Sequence, residues 1–358
     1  MRATSLRRAA ITLALVLGCA ATAGAQIEIW AGDNVNFKLG ILGQFQADTV
    51  DDPPGDANTN NLFIRRLRLM FAGQVTERVT FFVETDSPNL GKAVPAGNRA
   101  APPEFIQDAY GEFKVHDAFS VDVGLMFVPF SRNSLQSAAT LLPIDYGAYT
   151  FTQSAPTQSS TGRDTGFLAR GYLLDKHFEY RVGAFQGLRD PRSHNPFRYV
   201  GRVQYSFFDT DTAFFYTGTY RGTKRVLAVG AAFDTQKSYR GYDADAFLDY
   251  PVAGGAITGQ LAYNYFDGDV TLPPLPRQHN ALFEAGYLIT ALKLTPVVQY
   301  TSRDLVSATV GDEYHWSIGL NYWWAGHNAN VKGAYARIVP SGSTPQNEVT
   351  IQLQLYYF

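Results

Sequence analysis

Two arginines lie two positions apart in the stretch Leu62-Phe63-Ile64-Arg65-Arg66-Leu67-Arg68-Leu69-Met70-Phe71. Successive side chains of a β-strand point to opposite faces, so Arg66 and Arg68 share one face while Leu67 and Leu69 share the other. A charged face opposite an apolar face predicts a strand with water on one side and hydrocarbon on the other. Guanidinium groups in a row on the wet side would lower the electrostatic barrier for anions.

Further charged and polar residues fall on the wet phase of other stretches. The candidates for the inner face are Arg66, Arg68, Glu84, Glu112, Lys114, Arg170 and Arg202, together with Asp86, Gln260, Asn321 and Lys332. Arg65 falls on the apolar phase, so we expect it to point outward and reach the headgroup region. Two interpretations of the arginines stay open: they form an anion path, or they pair with carboxylates such as Glu84 and Glu112 and stiffen the wall.

The strands that would carry these residues recur along the whole chain. Long polar or Pro/Gly-rich stretches occupy about 49–60, 87–104, 129–160, 188–196, 235–241, 268–277, 303–312 and 339–347, and tight connections occupy about 75–78, 116–119, 174–178, 208–212, 251–254, 290–292 and 325–328. This alternation of loops and turns is typical of transmembrane barrels. It predicts an all-β fold in one domain, a transmembrane antiparallel β-barrel of about sixteen strands.

The end of the chain is predicted to close this barrel. Residues 349–358 alternate apolar and polar side chains, although Phe358 falls on the polar phase. Sixteen strands require residues 213–235 to form a single strand, which we predict. This segment fits less well than the others, because a strand of that length would span roughly 75 Å and Arg221-Gly222-Thr223-Lys224 resembles a hairpin turn. Dividing this segment and one other would give eighteen strands, which is the alternative to sixteen.

The third loop (residues 129–160) is the longest predicted connection and is rich in apolar residues. A loop of this composition is not expected to extend into water. We predict that it folds into the barrel and constricts it, with Arg132 and Asp145 as the charges nearest the narrow point. The alternative is that the loop packs against a neighbouring subunit.

Residues 1–25 have the pattern of an export signal: early arginines, an apolar run from Ala9 to Ala21, and the small residues Ala23-Gly24-Ala25. We therefore expect a mature chain of residues 26–358, in which no apolar run approaches the ~20 residues of a membrane helix. Lipoprotein processing at Cys19 is an alternative. Cys19 is the single cysteine, so the mature chain would form no disulfide or metal-thiolate site.

Composition and motifs argue against several classes of function. A formal net charge of −2 gives no general attraction to nucleic acid. The six histidines have no metal-ligand spacing, and no Gly-x-Ser-x-Gly, P-loop or dinucleotide motif is present in the sequence. We predict no enzymatic activity, no cofactor and no metal. A sealed barrel acting as an anchor or adhesin is the main alternative to a channel, and a hydrolase with a Ser/His pair on the barrel wall is the lesser one.

Four motifs carry a family resemblance. They are Phe63-Ile64-Arg65-Arg66-Leu67-Arg68-Leu69 with Gly73, Asp108-Ala109-Tyr110-Gly111-Glu112-Phe113, Gly124-Leu125-Met126-Phe127-Val128-Pro129-Phe130-Ser131, and Gly162-Arg163-Asp164-Thr165-Gly166-Phe167. Over about residues 36–190 the chain resembles the phosphate-selective porin O and P family. It departs from the family pattern at Arg132-Asn133, where an acidic residue is usual, and it lacks a dense lysine cluster.

The resemblance implies a homotrimeric channel of sixteen strands in the bacterial outer membrane, with an inward third loop and a basic interior that passes anions. The expected partners are the lipid bilayer and small solutes. We predict passive diffusion of small hydrophilic solutes, with a preference for anions such as phosphate.

Overall fold

The computed structural model describes residues 27–32, 35–52, 57–93, 104–190, 194–306 and 311–358. The predicted signal segment and its cleavage site lie outside the described residues. The strands are β1 (Ile27–Gly32), β2 (Val35–Asp52), β3 (Ala57–Thr76), β4 (Val79–Asp86), β5 (Phe105–His116), β6 (Phe119–Phe127), β7 (Arg163–Leu173), β8 (Phe178–Phe185), β9 (Arg198–Ser206), β10 (Val226–Gln236), β11 (Tyr239–Val252), β12 (Gly255–Asp267), β13 (Gln278–Ile289), β14 (Leu294–Leu305), β15 (Glu313–Tyr322), β16 (Ala329–Pro340) and β17 (Gln346–Tyr357).

Strands β2 to β17 form a closed antiparallel ring. Each pairs with its neighbours in sequence, and β17 returns to β2 with Ile351 opposite Ala47. The prediction of sixteen barrel strands is confirmed, and the alternative of eighteen is wrong. The short β1 pairs with β2 from Ile27 opposite Leu39, where β17 has ended, so it extends the sheet beside the closing strand.

Alternation of side chains gives the ring an apolar outer face and a polar inner face. Leu69 and Ile351 are 52% and 56% exposed on the outer face, whereas Arg68 and Gln352 are 5% and 0% exposed on the inner face. Phe358, which the alternation placed on the polar phase, lies against Phe82 with ring centroids 5.9 Å apart, in an inner apolar cluster. Among the described residues, no helix is long and apolar enough to cross a membrane.

The described helices are short and lie in connections: α1 (Arg132–Leu135) and a 3₁₀ turn (Thr290–Leu292). Two predicted loops are shorter than the composition suggested. Much of 49–60 is strand, with Thr49 paired to Asn60, and within 235–241 the strands β10 and β11 leave two residues between them. Both stretches are rich in polar residues, and composition alone therefore did not indicate that their backbones pair.

The segment 213–235 is not a single strand, and that prediction is wrong. Strand β10 begins at Val226, and residues 207–225 form an irregular connection between β9 and β10. The turn pattern within it is real, because Arg221 and Gly222 both have positive φ, at 54° and 75°. We call residues 207–225 the inserted turn.

Candidate functional site

The third loop begins with helix α1, capped at Ser131. The Ser131 hydroxyl accepts from the Ser134 amide at 3.1 Å, and the Ser134 hydroxyl is 3.2 Å from the Ser131 amide, which forms a capping box. The cap fixes the direction in which the chain leaves strand β6. From there the loop contacts inner-face side chains on many strands.

These contacts anchor the loop to widely separated strands. The inner-face bonds to the loop are Gln44 Nε2 to Ala138 O (3.1 Å), Gln354 Nε2 to Ala139 O (2.8 Å), Asn321 Nδ2 to Leu142 O (2.7 Å), Lys332 Nζ to Pro143 O (2.9 Å) and Gln136 Nε2 to Gln260 Oε1 (2.7 Å). Asn321 and Lys332, which were predicted to face inward, therefore satisfy backbone carbonyls of the loop that would otherwise be buried without a donor.

A β-bulge brings a second arginine toward the loop. Gln44 pairs with Arg66 and Phe45 pairs with Ile64, so Arg65 is an extra residue with no partner of its own on β2. A bulge of this kind turns the side chain of the extra residue, Arg65, away from the direction that strict alternation would give it. The expected outward position of Arg65 is therefore wrong: its Nε donates to Asp145 at 2.8 Å.

The loop-wall cluster consists of Arg65, Arg66 and Asp145. The carboxylate accepts from Arg65 at 2.8 Å through one oxygen and from Arg66 at 2.6 Å through the other. Partial burial opposes ionisation of Asp145, but the two guanidinium groups hold the pKa of this carboxyl well below its usual range. The side chains of Arg65 and Asp145 are 26% and 31% exposed. Two cations thus share one carboxylate at a place that solvent reaches.

Arg65 and Asp145 of the cluster line a cavity of about 330 Å³ between the loop and the wall. Lys92 and Glu348 also line this cavity. Lys92 is paired with Asp48 at 2.7 Å. Glu348 accepts from the Thr350 hydroxyl at 2.8 Å and brings a carboxylate to the same cavity as Arg65 and Asp145.

The other predicted arginines are neutralised by carboxylates. Arg68 lies 3.0 Å from both Glu84 and Asp86. Arg170 is 2.8 Å from Glu112 and 2.7 Å from Asp122. The pairing that the alternative interpretation expected for Glu84 and Glu112 is present.

Arg202 and Arg132 form a joint buried network with three aspartates. Arg202 is 2.6 Å from Asp245 and 3.3 Å from Asp243. Arg132 is 2.8 Å from Asp211, and its backbone amide donates to Asp245 at 2.7 Å. Arg132 is 0% exposed, so it holds the base of the loop in place and does not offer a free charge to solvent.

Lys114 lies at the end of β5, beside a short turn. Its ammonium is 2.7 Å from Asp117, and Lys176 is 2.9 Å from the same carboxylate. Hydrogen bonds from both lysines lower the pKa of Asp117 to about 2. Lys114 therefore belongs to a charged cluster at the rim, away from the third loop.

Sequence reasoning missed several inner pairs and the inserted turn. The pairs are Arg163 with Asp108 (3.2 Å), Arg181 with Glu179 (2.8 Å) and Arg198 with Asp234 (2.5 Å). All of these residues except Arg163 lie on the inner phase of their strands, so the phase test applied to Arg170 would have found them. Arg163 is seven positions from Arg170 and falls on the opposite phase of β7, yet it is 2% exposed. The inserted turn carries Phe214-Phe215-Tyr216, three aromatic residues without alternation, which was a sign that it is not a strand.

A closed ring of sixteen strands, apolar outside and charged inside, is the architecture of a bacterial outer-membrane channel. The family model for phosphate-selective porin O and P matches residues 39–258. The chain belongs to this family, which confirms the resemblance seen in the sequence. No curated protein sequence matches the chain.

Solved structures of other outer-membrane proteins have the same fold. The anion-selective porin from Comamonas acidovorans superimposes with a TM-score of 0.64 at 12% identity, over 90% of this chain and 100% of that one. OmpF from Salmonella typhi superimposes with a TM-score of 0.59 at 16% identity, over 92% of this chain and 100% of that one. OmpT from Vibrio cholerae, in its trimer form, superimposes with a TM-score of 0.54 at 10% identity, over 91% of this chain and 100% of that one. The protein is an outer-membrane channel for diffusion of small solutes, and its fold and family are those of a channel rather than of an enzyme.

Proposed function

We propose that this channel favours small hydrophilic anions such as phosphate, and that the third loop constricts it at the loop-wall cluster. The observation that carries the proposal is the sharing of Asp145 by Arg65 and Arg66. This arrangement leaves one surplus positive charge at a solvent-accessible position. Cationic side chains at a narrow point lower the barrier for anions and raise it for cations.

Two further observations support this assignment. The inner arginines Arg68, Arg170 and Arg202 each contact two carboxylates, so they contribute little net positive charge. The family is described as phosphate-selective, and one neighbour of the same fold is described as anion-selective. The loop-wall cluster is the part of the charged interior where such a preference has a structural basis.

The test is the reversal potential of the purified protein in a planar bilayer with a potassium chloride gradient. We expect a sign that reports chloride preference, larger at low salt because screening extends over ~10 Å at 0.1 M. Phosphate added to one side should reduce the chloride current. A reversal potential that reports potassium preference at low salt would contradict the proposal.

We also propose that the channel assembles as a homotrimer. The family resemblance and the trimer form of OmpT support this oligomeric state. Chemical cross-linking in native outer membranes should give a ladder that ends at three copies. A ladder that ends at one copy under conditions that cross-link a known trimeric porin would contradict it.

A further inference from the structure

The inserted turn lies at the end of the barrel where neighbouring connections are short. The turns at 77–78, 117–118 and 253–254 have two residues each, whereas this connection runs from 207 to 225. Its base continues the strand ladder, because the Phe207 amide donates to Leu227 O and the Asp209 amide donates to Arg225 O, both at 2.8 Å. Residues 210–224 are therefore an insertion in what would otherwise be a tight hairpin.

The inserted turn reaches the third loop, which enters from the opposite end of the barrel. The Tyr216 amide donates to Leu135 O, and the Ser137 amide donates to Tyr216 O, both at 2.9 Å. The Gly218 amide donates to the Thr140 hydroxyl at 3.0 Å. A Cβ on Gly218 would lie 2.7 Å from Thr140 O, so the two backbones approach too closely for another residue there. The two segments thus meet within the ring.

Aromatic side chains of the inserted turn fill space between the loop and the wall. The Phe215 ring lies 5.3 Å from Phe82 and 5.5 Å from Phe127, measured between centroids. The Phe214 ring stacks 4.7 Å from Tyr110. Phe82 and Tyr110 belong to the wall, so these rings occupy cross-section that an open barrel would leave to water.

Arginines of the wall and loop stack on the same aromatic residues. The Tyr216 ring has three guanidinium carbons near its centroid, from Arg132 at 4.6 Å, Arg181 at 4.7 Å and Arg202 at 5.6 Å. Arg170 lies 5.2 Å from the centroid of Phe214. Cation–π contacts of this kind are strongest where water is excluded.

Hydrogen bonds hold the inserted turn in position. Asp249 accepts from the Tyr220 amide at 2.8 Å, the Gly222 amide at 3.0 Å and the Thr219 hydroxyl at 3.0 Å. Arg181 donates to Phe214 O at 2.9 Å. Withdrawing the turn would leave Asp249, which is 0% exposed, without these donors. The contacts therefore favour a fixed element over one that moves in and out.

We propose that the inserted turn is a second constriction element, entering from the short-turn end, and that it sets the upper size of solutes the channel passes. The proposal rests on the channel function and is independent of its charge preference. The third loop narrows the barrel from one end. The inserted turn occupies part of the open cross-section that remains beside the loop. Its aromatic residues restrict size, while the loop-wall cluster acts on charge.

The first test replaces residues 210–224 with Asn-Gly, which lets Asp209 and Arg225 close a two-residue hairpin. We expect a several-fold rise in single-channel conductance and faster uptake of larger neutral sugars in liposome-swelling assays. The sign of the reversal potential should stay as in the parent protein. Arg225→Gln is the matched control, since this side chain is 61% exposed at the base of the turn and should leave conductance unchanged.

Heat-modifiable migration on gels shows whether the shortened barrel is folded. Phe214→Ala with Phe215→Ala is a milder second variant that should raise conductance less. If the shortened or the alanine variant is folded and its conductance equals that of the parent, the proposal is wrong. A changed reversal potential with unchanged conductance would show that the inserted turn affects charge preference. That result would also contradict its role in setting the upper size of solutes.

The second test asks whether the element is fixed. Gln136 and Tyr216 are bridge partners on neighbouring backbones, so Gln136→Cys with Tyr216→Cys gives a pair able to form a disulfide. Cys19 is the single native cysteine and lies in the predicted signal segment, so the pair is free of competing thiols. We expect the oxidised and reduced forms to conduct equally. If oxidation lowers the conductance, the inserted turn is a moving gate and the fixed constriction is contradicted.

Discussion

The loop-wall cluster and the buried Arg202 network use the same residue types for different ends. In the cluster, two guanidinium groups share Asp145, and the side chains of Arg65 and Asp145 are about one-quarter to one-third exposed, whereas Arg66 is buried. In the network, Arg202 faces Asp243 and Asp245, and all three are nearly inaccessible. A charged side chain affects permeating ions only where they come close to it and where no neighbouring side chain of opposite charge cancels its electric field. The ratio of arginines to carboxylates and the exposure of these side chains, rather than the number of arginines, distinguish a site that selects ions from one that stabilises the wall.

The largest effect, a loss of folding stability, should come from removing Arg202 from its buried network. Arg202→Ala leaves Asp243 and Asp245 without their cation, and removing one partner of a buried pair costs about 3–5 kcal/mol. Arg65→Ala should cost at most ~1 kcal/mol, because its pair is partly exposed. Denaturant unfolding of the two variants in detergent micelles measures the difference. Equal loss of stability in both would mean that the two sites are not distinct.

Removing the shared carboxylate together with the loop should act on both conductance and charge. Replacement of residues 137–148 with a short Gly/Ser linker deletes Asp145 and the loop carbonyls bound by Lys332 and Asn321. We expect higher single-channel conductance and a reversal potential shifted further toward anions, because Arg65 and Arg66 lose their counter-ion. Unchanged conductance in a folded barrel would contradict the constriction of the channel by the third loop.

The smallest effect should come from the carboxylate across the cavity. Glu348 lines the same space as the cluster and opposes its surplus charge. Glu348→Gln should shift the reversal potential modestly toward anions, and Arg277→Gln, in an exposed pair with Asp267, should leave it unchanged. A shift toward cations in Glu348→Gln would show that the charge balance of the cavity is misassigned.

The fold was largely predictable, because a wall between lipid and water forces strict alternation on each strand. Strand number, closure of the ring and the inner position of Arg66 and Arg68 all follow from that alternation. Arg65 was placed wrongly because a bulge inserts one residue and reverses the phase locally, without a signature in the side chains.

The inserted turn could not be placed from the sequence for a different physical reason. Its central aromatic residues, Phe214 to Tyr216, pack against the third loop and the wall, so this part of the segment lacks the alternation of a strand. Phe214 and Phe215 are adjacent, yet both contact inner aromatic residues. The partner of each inner arginine was likewise unpredictable, since register between distant strands decides which carboxylate is within reach.

The most direct test of the loop-wall cluster is the reversal potential of Arg65→Glu in a potassium chloride gradient, compared with Arg277→Glu as a peripheral change of the same charge. Arg65→Glu replaces the accessible cation with an anion beside Asp145. We predict a shift toward potassium preference that is larger at low salt than at high salt, while Arg277→Glu behaves as the parent protein. If Arg65→Glu keeps the parent reversal potential at low salt with a folded barrel, the cluster does not set the charge preference of the channel.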